Sequence, residues 1–111
     1  MGKTLPLMLS TLLCVAGAQA ASFDCRQATA TDERAICASR SLSDKDVEMA
    51  TKYQFLRGLF AMGMRGNMQD DQTRWLAQRN RCGNDVNCLS NSYATRIAEL
   101  DAIYQHIDKP L

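Results

Sequence analysis

The sequence predicts an all-α fold, a small antiparallel bundle of about four helices held by disulfides. Three observations predict it. Apolar residues recur at helical spacing over two long stretches, and no stretch shows the period-two alternation of a half-buried strand. The cysteines beyond residue 20 form two close pairs, Cys25 with Cys37 and Cys82 with Cys88. Polar caps and glycines punctuate the chain between the periodic stretches.

The elements follow in order. Lys3, the apolar run Leu5 to Gly17 broken by Ser10 and Thr11, and Ala18-Gln19-Ala20 have the layout of a signal peptide cleaved after Ala20. The run is too short to span a bilayer. A lipoprotein signal at Cys14 is disfavoured because Leu13, a bulky residue, precedes it. The expected organisation is a signal peptide over 1–20 and a single domain over 21–111, periplasmic or secreted, with no stable membrane anchor after cleavage. Thr29 or Thr31 caps a short first helix ending near Cys37 or Ala38, with Asp32 and Glu33 in its first turn. Ser41 or Ser43 caps a second helix over 44–61. Its stripe is Leu42, Met49, Tyr53, Leu56 and Phe60, at spacings of seven, four, three and four, widened by Val47 and Ala50. Gly63 and Gly66 end it, so that Met62 to Asp71 reads as a glycine-rich loop. Asn67 caps a third helix from Met68 or Gln69 to Arg81, with Asp70 and Asp71 in its first turn and Trp75 and Leu76 facing the core. Gly83-Asn84 ends it, and Asp85 caps a fourth. The fourth helix carries Leu89, Tyr93, Ile97, Leu100, Tyr104 and Ile107, and the chain breaks at Pro110.

Composition excludes several functions. The 13 Lys and Arg against 12 Asp and Glu become 12 against 12 once Lys3 is removed with the leader. A neutral chain lacks the basic excess that releases counterions from nucleic acid, so no nucleic-acid partner is expected. His106 is the one histidine, which leaves no Ser/His/Asp or Cys/His set, and the adjacent Asp70 and Asp71 point about 100° apart on a helix. The chain is therefore expected not to be an enzyme, and to need no cofactor. Removing Cys14 with the leader leaves four cysteines of the original five, an even number suited to two disulfides in an oxidising compartment. Five residues separate Cys82 from Cys88, unlike the two-to-four-residue spacing of zinc sites or the Cys-x-x-Cys of redox pairs. Local pairing is the simplest of three connectivities, and the other two stay open at this level. Chain entropy assigns about 2 kcal/mol to the Cys82–Cys88 staple and about 3 kcal/mol to Cys25–Cys37.

Trp75 and Arg79 stand one turn apart on one face, where an aromatic ring and a cation attract. The favoured reading makes Trp75 a core anchor and pairs Arg79 with an acid of the second helix, Asp46. Met62, Met64, Arg65 and Met68 fall in the glycine-rich segment, which is the expected partner-binding region. Three thioethers there also raise a minor copper(I) reading, although Met is as often an apolar filler.

Taken in order, Ser22-Phe23-Asp24-Cys25, Ala28, Thr31, Glu33, Ile36-Cys37, Leu42, Asp46, Tyr53, Trp75-Leu76, Arg79, Cys82, Cys88-Leu89, Tyr93, Arg96-Ile97 and Leu100 resemble the LprI-like lysozyme inhibitor family. The pattern covers nearly all of the expected mature chain. The resemblance implies a small exported helical domain with internal disulfides. It casts Asp46, Tyr53, Trp75, Arg79, Tyr93 and Arg96 as scaffold and implies, for some members, inhibition of lysozyme at the cell envelope. The expected partner is therefore a lysozyme-like hydrolase, inhibited by steric occlusion from a loop over its cleft. Lysozymes work with two carboxyl groups, and Arg65 between two glycines is a donor suited to them. Two departures stand out: the lipobox of lipoprotein members is missing, and the Met-Gly segment is not part of the pattern. The alternative is a non-inhibitory adaptor or immunity-type protein that binds another exported protein.

Overall fold

The computed structural model describes residues 20–107. The expected leader, apart from Ala20, and the expected break at Pro110 lie outside the described residues. A 3-10 turn at Cys25–Gln27 leads into four helices: α1 (Thr31–Ala38), α2 (Arg40–Leu59), α3 (Met62–Arg81) and α4 (Val86–Gln105). No strand occurs among the described residues. The fold is all-α, as the periodicity predicts. Helix α3 runs antiparallel to α2 and to α4, so α2 and α4 run side by side in the same direction. Lys52 on α2 reaches Asp101 on α4 at 2.7 Å, and Phe55 and Tyr104 meet with ring centroids 6.1 Å apart. α1 closes the end where α2 and α4 begin and α3 finishes.

The core is the apolar stripe of each helix turned inward. Ile36, Leu42, Met49, Tyr53, Leu56, Met68, Trp75, Leu89, Tyr93 and Leu100 are all buried. Val47 and Leu76, assigned to the core from sequence, are exposed. Each flanks a core position but is turned about 100° from it around the helix.

Both local disulfides form, Cys25–Cys37 and Cys82–Cys88, with Cα atoms 5.8 and 5.5 Å apart. Gly83 adopts φ 59°, the left-handed conformation that ends α3. Asp85 then accepts from Cys88 N at 3.1 Å, capping α4 as expected.

Three boundaries differ from the expectation. Helix α1 begins at Thr31 behind Ala30, which offers no side-chain cap, so neither Thr29 nor Thr31 caps it. Helix α2 starts four residues early because Ser39, rather than Ser41 or Ser43, is its cap and accepts from Leu42 N at 3.2 Å. Ser43 is instead buried and donates to the Ile36 carbonyl at 2.7 Å, satisfying the end of α1. The larger correction is the segment Met62 to Asp71, which is helix from its first residue and not a loop. The turn is confined to Phe60 and Ala61, both extended. Arg65 makes so tight a corner possible: its Nε donates to Arg57 O at 3.2 Å and its Nη2 to Phe60 O at 3.3 Å. Those are carbonyls that the end of α2 leaves without helical partners. Asn67 is consequently inside α3 rather than its cap, and Asp70 and Asp71 lie beyond its first turn.

Candidate functional site

The described residues form two ends of opposite character. At the closed end, charge is buried. Asp32, Asp46 and Arg79 are each no more than 6% exposed. Asp32 lies on the same face of α1 as Ile36, one turn on, so α1 carries a carboxylate directly into the core. Arg79 Nε donates to Asp32 Oδ2 at 2.9 Å, and Asn80 Nδ2 adds a bond to Oδ1 at 3.3 Å. Asp46, the acid expected for Arg79, stands 3.7 Å from its Nη1, in ion-pair range but farther than Asp32. The stronger bonds to Asp46 come from elsewhere: Tyr93 OH at 2.7 Å, Ser22 N at 2.7 Å and Ser22 Oγ at 2.5 Å. Burial, then the hydrogen bond to Asp46, pushes the Tyr93 phenol well above its ordinary pKa, so that it stays a neutral donor.

Aromatic rings enclose this centre. The Arg79 guanidinium lies 5.7 Å from the ring centroids of both Trp75 and Phe23, confirming the helix-face contact expected for Trp75. Trp75 packs edge-on against Tyr93 at 5.1 Å and donates from Nε1 to the Ser92 carbonyl at 3.0 Å. Tyr53 is buried in the core, and Arg96 is buried and bonded to Gln72 at 3.0 Å and Glu99 at 3.1 Å. All six expected scaffold residues are thus buried. Asp46, Arg79 and Tyr93 turn their polar atoms toward one another, and no buried side-chain nitrogen or oxygen among the described residues lacks a partner. Sequence reasoning missed Asp32 and Ser22 in this network. The signal for Asp32 was a carboxylate one turn before a buried Ile. Ser22 gave none, because its partner is 24 residues away.

The open end is apolar. Phe55 and Leu59 on α2, Met62 and Met64 on α3 and Tyr104 on α4 are exposed, five of the eight large apolar side chains on the described surface. Phe60, Met64, Ile103, His106 and Ile107 line a shallow groove of about 530 Å³ between the corner and the last turn of α4. Of the four residues expected at a partner site, Met62, Met64 and Arg65 are on the surface here. Met68 is 4% exposed and belongs to the core, one turn farther into the bundle than the exposed Met64. Met62 and Met64, two positions apart on one helix, diverge by about 200°. The three sulfurs therefore do not converge on a copper site.

A second groove, of about 730 Å³, runs between α3 and α4 beside the Cys82–Cys88 bridge. Its charges are engaged with one another, Arg74 with Asp71 and Arg96 with Glu99, and its cysteines are tied as a disulfide.

With this geometry in place, the comparison with known families is decisive: the model described as "Lysozyme inhibitor LprI" matches residues 25–100. The chain belongs to the LprI family. The matched LprI region takes in the four disulfide-bonded cysteines and the whole buried ionic centre except Ser22 and Phe23. No curated protein and no solved structure matches the chain. Among the described residues of this LprI domain, no helix is long and apolar enough to cross a membrane.

Proposed function

We propose that this LprI domain is exported, is released by cleavage after Ala20, and binds a lysozyme-like peptidoglycan hydrolase so as to block its substrate cleft. The observation that carries the reading is the family match over residues 25–100. The two disulfides support export, since such bonds persist in oxidising compartments.

Blocking a cleft requires a rigid convex feature with an apolar surface and a donor for the catalytic carboxyl groups. The open end has these properties. Its corner between α2 and α3 is two residues long, and Phe55, Leu59, Met62 and Met64 surround it. Arg65 is held there by two backbone carbonyls and has no carboxylate in ion-pair range among the described residues. Its fixed guanidinium retains a free edge for an acid of the partner. Patches of exposed apolar side chains around an Arg are typical centres of binding energy.

The test is a peptidoglycan-lysis assay with the oxidised domain beginning at Ala21 against several lysozyme classes. Dose-dependent inhibition is expected, with at least a tenfold loss in Leu59→Asp and Met64→Asp variants that keep the wild-type melting temperature. Inhibition that survives both substitutions removes the open end from the proposal. If no lysozyme is inhibited and a stoichiometric exported partner is captured instead, the adaptor reading replaces inhibition.

A further inference from the structure

The buried centre of the closed end is short of positive charge. Asp32 and Asp46 are buried carboxylates, and Glu33 stands 3.9 Å from the same Arg79 guanidinium. One cation therefore serves three acids. The other buried cation, Arg96, is committed to Glu99 and Gln72. An uncompensated charge in a low-dielectric interior is costly, so such centres recruit a further cation or neutralise.

The chain itself has one to offer. Ser22 is bound to Asp46 Oδ2 through both its backbone nitrogen and its hydroxyl. Ala21, the residue before it, is 4% exposed and packs with the core, while Ala20 is exposed. Successive backbone nitrogens are at most about 3.7 Å apart. The nitrogen of Ala21 therefore lies within about 6.5 Å of the Asp46 carboxylate, adding that span to the 2.7 Å bond from Ser22 N. In the uncleaved chain this nitrogen is a neutral amide. Hydrolysis of the Ala20–Ala21 peptide bond by water leaves a carboxylate on Ala20 and an amine on Ala21, which takes up a proton to become an ammonium.

We propose that the Asp46 centre is a binding site for the α-ammonium of Ala21, so that signal cleavage supplies the missing cation and completes the fold of the closed end. The titratable and charged groups linked at this centre come from every helix: Asp32 and Glu33 of α1, Asp46 of α2, Arg79 of α3 and Tyr93 of α4. Asp46 dominates because Ser22 brings the terminus directly onto it. This rests on cleavage after Ala20 and is independent of what the open end binds.

The experiment compares three forms of the oxidised mature protein: a free Ala21 terminus, the same terminus acetylated, and one extended by a single glycine. Acetylation removes the charge, and the extension moves it one residue away. Both are expected to lower the melting temperature by about 5 °C or more at pH 7. The difference is expected to vanish in Asp46→Asn, which a merely steric effect of the added atoms would not do. Should Asp46→Asn fail to fold, titration of the α-amine in the free form decides, with a pKa above the usual 7.7–8.0 of an α-amino group expected. Equal melting of the three forms, an amine that titrates in the usual range, or an exported protein whose mass places its terminus elsewhere than Ala21 overturns the proposal.

Discussion

The two ends of the bundle solve opposite problems with the same helices. At the closed end, two disulfides, a buried Arg79–Asp32 pair and the Tyr93–Asp46 bond fix the positions of α1, α2, α3 and α4 against one another. No buried side-chain nitrogen or oxygen among the described residues there lacks a hydrogen-bond partner. At the open end one two-residue corner joins α2 to α3, apolar side chains face outward, and the fixing contact is Arg65 on two carbonyls. The contrast teaches where to look for activity in a small exported domain. The residues that dominate the family pattern are buried in the scaffold, and most of the large exposed apolar side chains gather at the other end.

The contrast predicts a descending series of effects. Arg79→Met should be the most damaging substitution, because it strands Asp32 and Asp46 as buried carboxylates. Urea unfolding should show a loss of about 3–5 kcal/mol, or no folded protein at all. Replacing Cys25 and Cys37 together by Ser should cost about 3 kcal/mol, against about 2 kcal/mol for the Cys82/Cys88 double replacement. The two doubles, compared in the same urea series, measure how much each staple contributes to the closed end. If the shorter loop proves the more costly, chain entropy is not the governing term.

Tyr93→Phe removes the hydroxyl shared by Asp46 and Arg79 and should cost about 1–3 kcal/mol. It should also change the response to alkali. The phenol's folded pKa is raised, so the unfolded chain loses its proton first. The stability due to Tyr93 is then complete below the ordinary phenol pKa of 10.0 and declines as pH rises past it. Lys52, whose pKa is raised by Asp101 and then Glu48, acts in the same direction on the surface. Thermal melts from pH 8 to 11 should fall more steeply for wild type than for Tyr93→Phe. Parallel curves would show that the Tyr93 proton is not what the closed end depends on.

The smallest effect belongs to the open end and carries the opposite sign. A Cβ at Gly63 or Gly66 meets nothing within 4 Å, and Gly83 alone among the described glycines has a positive φ. Gly63→Ala and Gly66→Ala should each raise stability by about 0.5–1 kcal/mol by favouring the helix. A fall in melting temperature would instead show that this segment needs the freedom of glycine, as a loop would.

Much of the molecule was legible from the chain. The fourth helix was clear because six apolar residues kept one face over five turns, and Asp85 and Gly83 marked its start and the preceding stop. The local cysteine pairs were the simplest of three pairings because short loops close easily, and the structure selects them. The segment from Met62 to Asp71 was misjudged because two glycines in four residues read as breakers. Their cost, about 1 kcal/mol each, is offset by burying Met68 and Trp75 further along the same helix and by Arg65 holding the corner. No local pattern reports a donor reaching eight residues back to the carbonyl of Arg57.

By itself, then, the sequence determined the class of fold, most of the apolar faces and the family, and favoured local staples among three pairings, because each of these is read from spacing along the chain. Tertiary structure alone decided which acid takes Arg79, that Ser22 closes over Asp46, and that Met68 is core while Met62 and Met64 are surface. Those outcomes depend on residues 24 to 48 positions apart meeting in a dry interior, where a charge must find a partner and sequence distance counts for nothing.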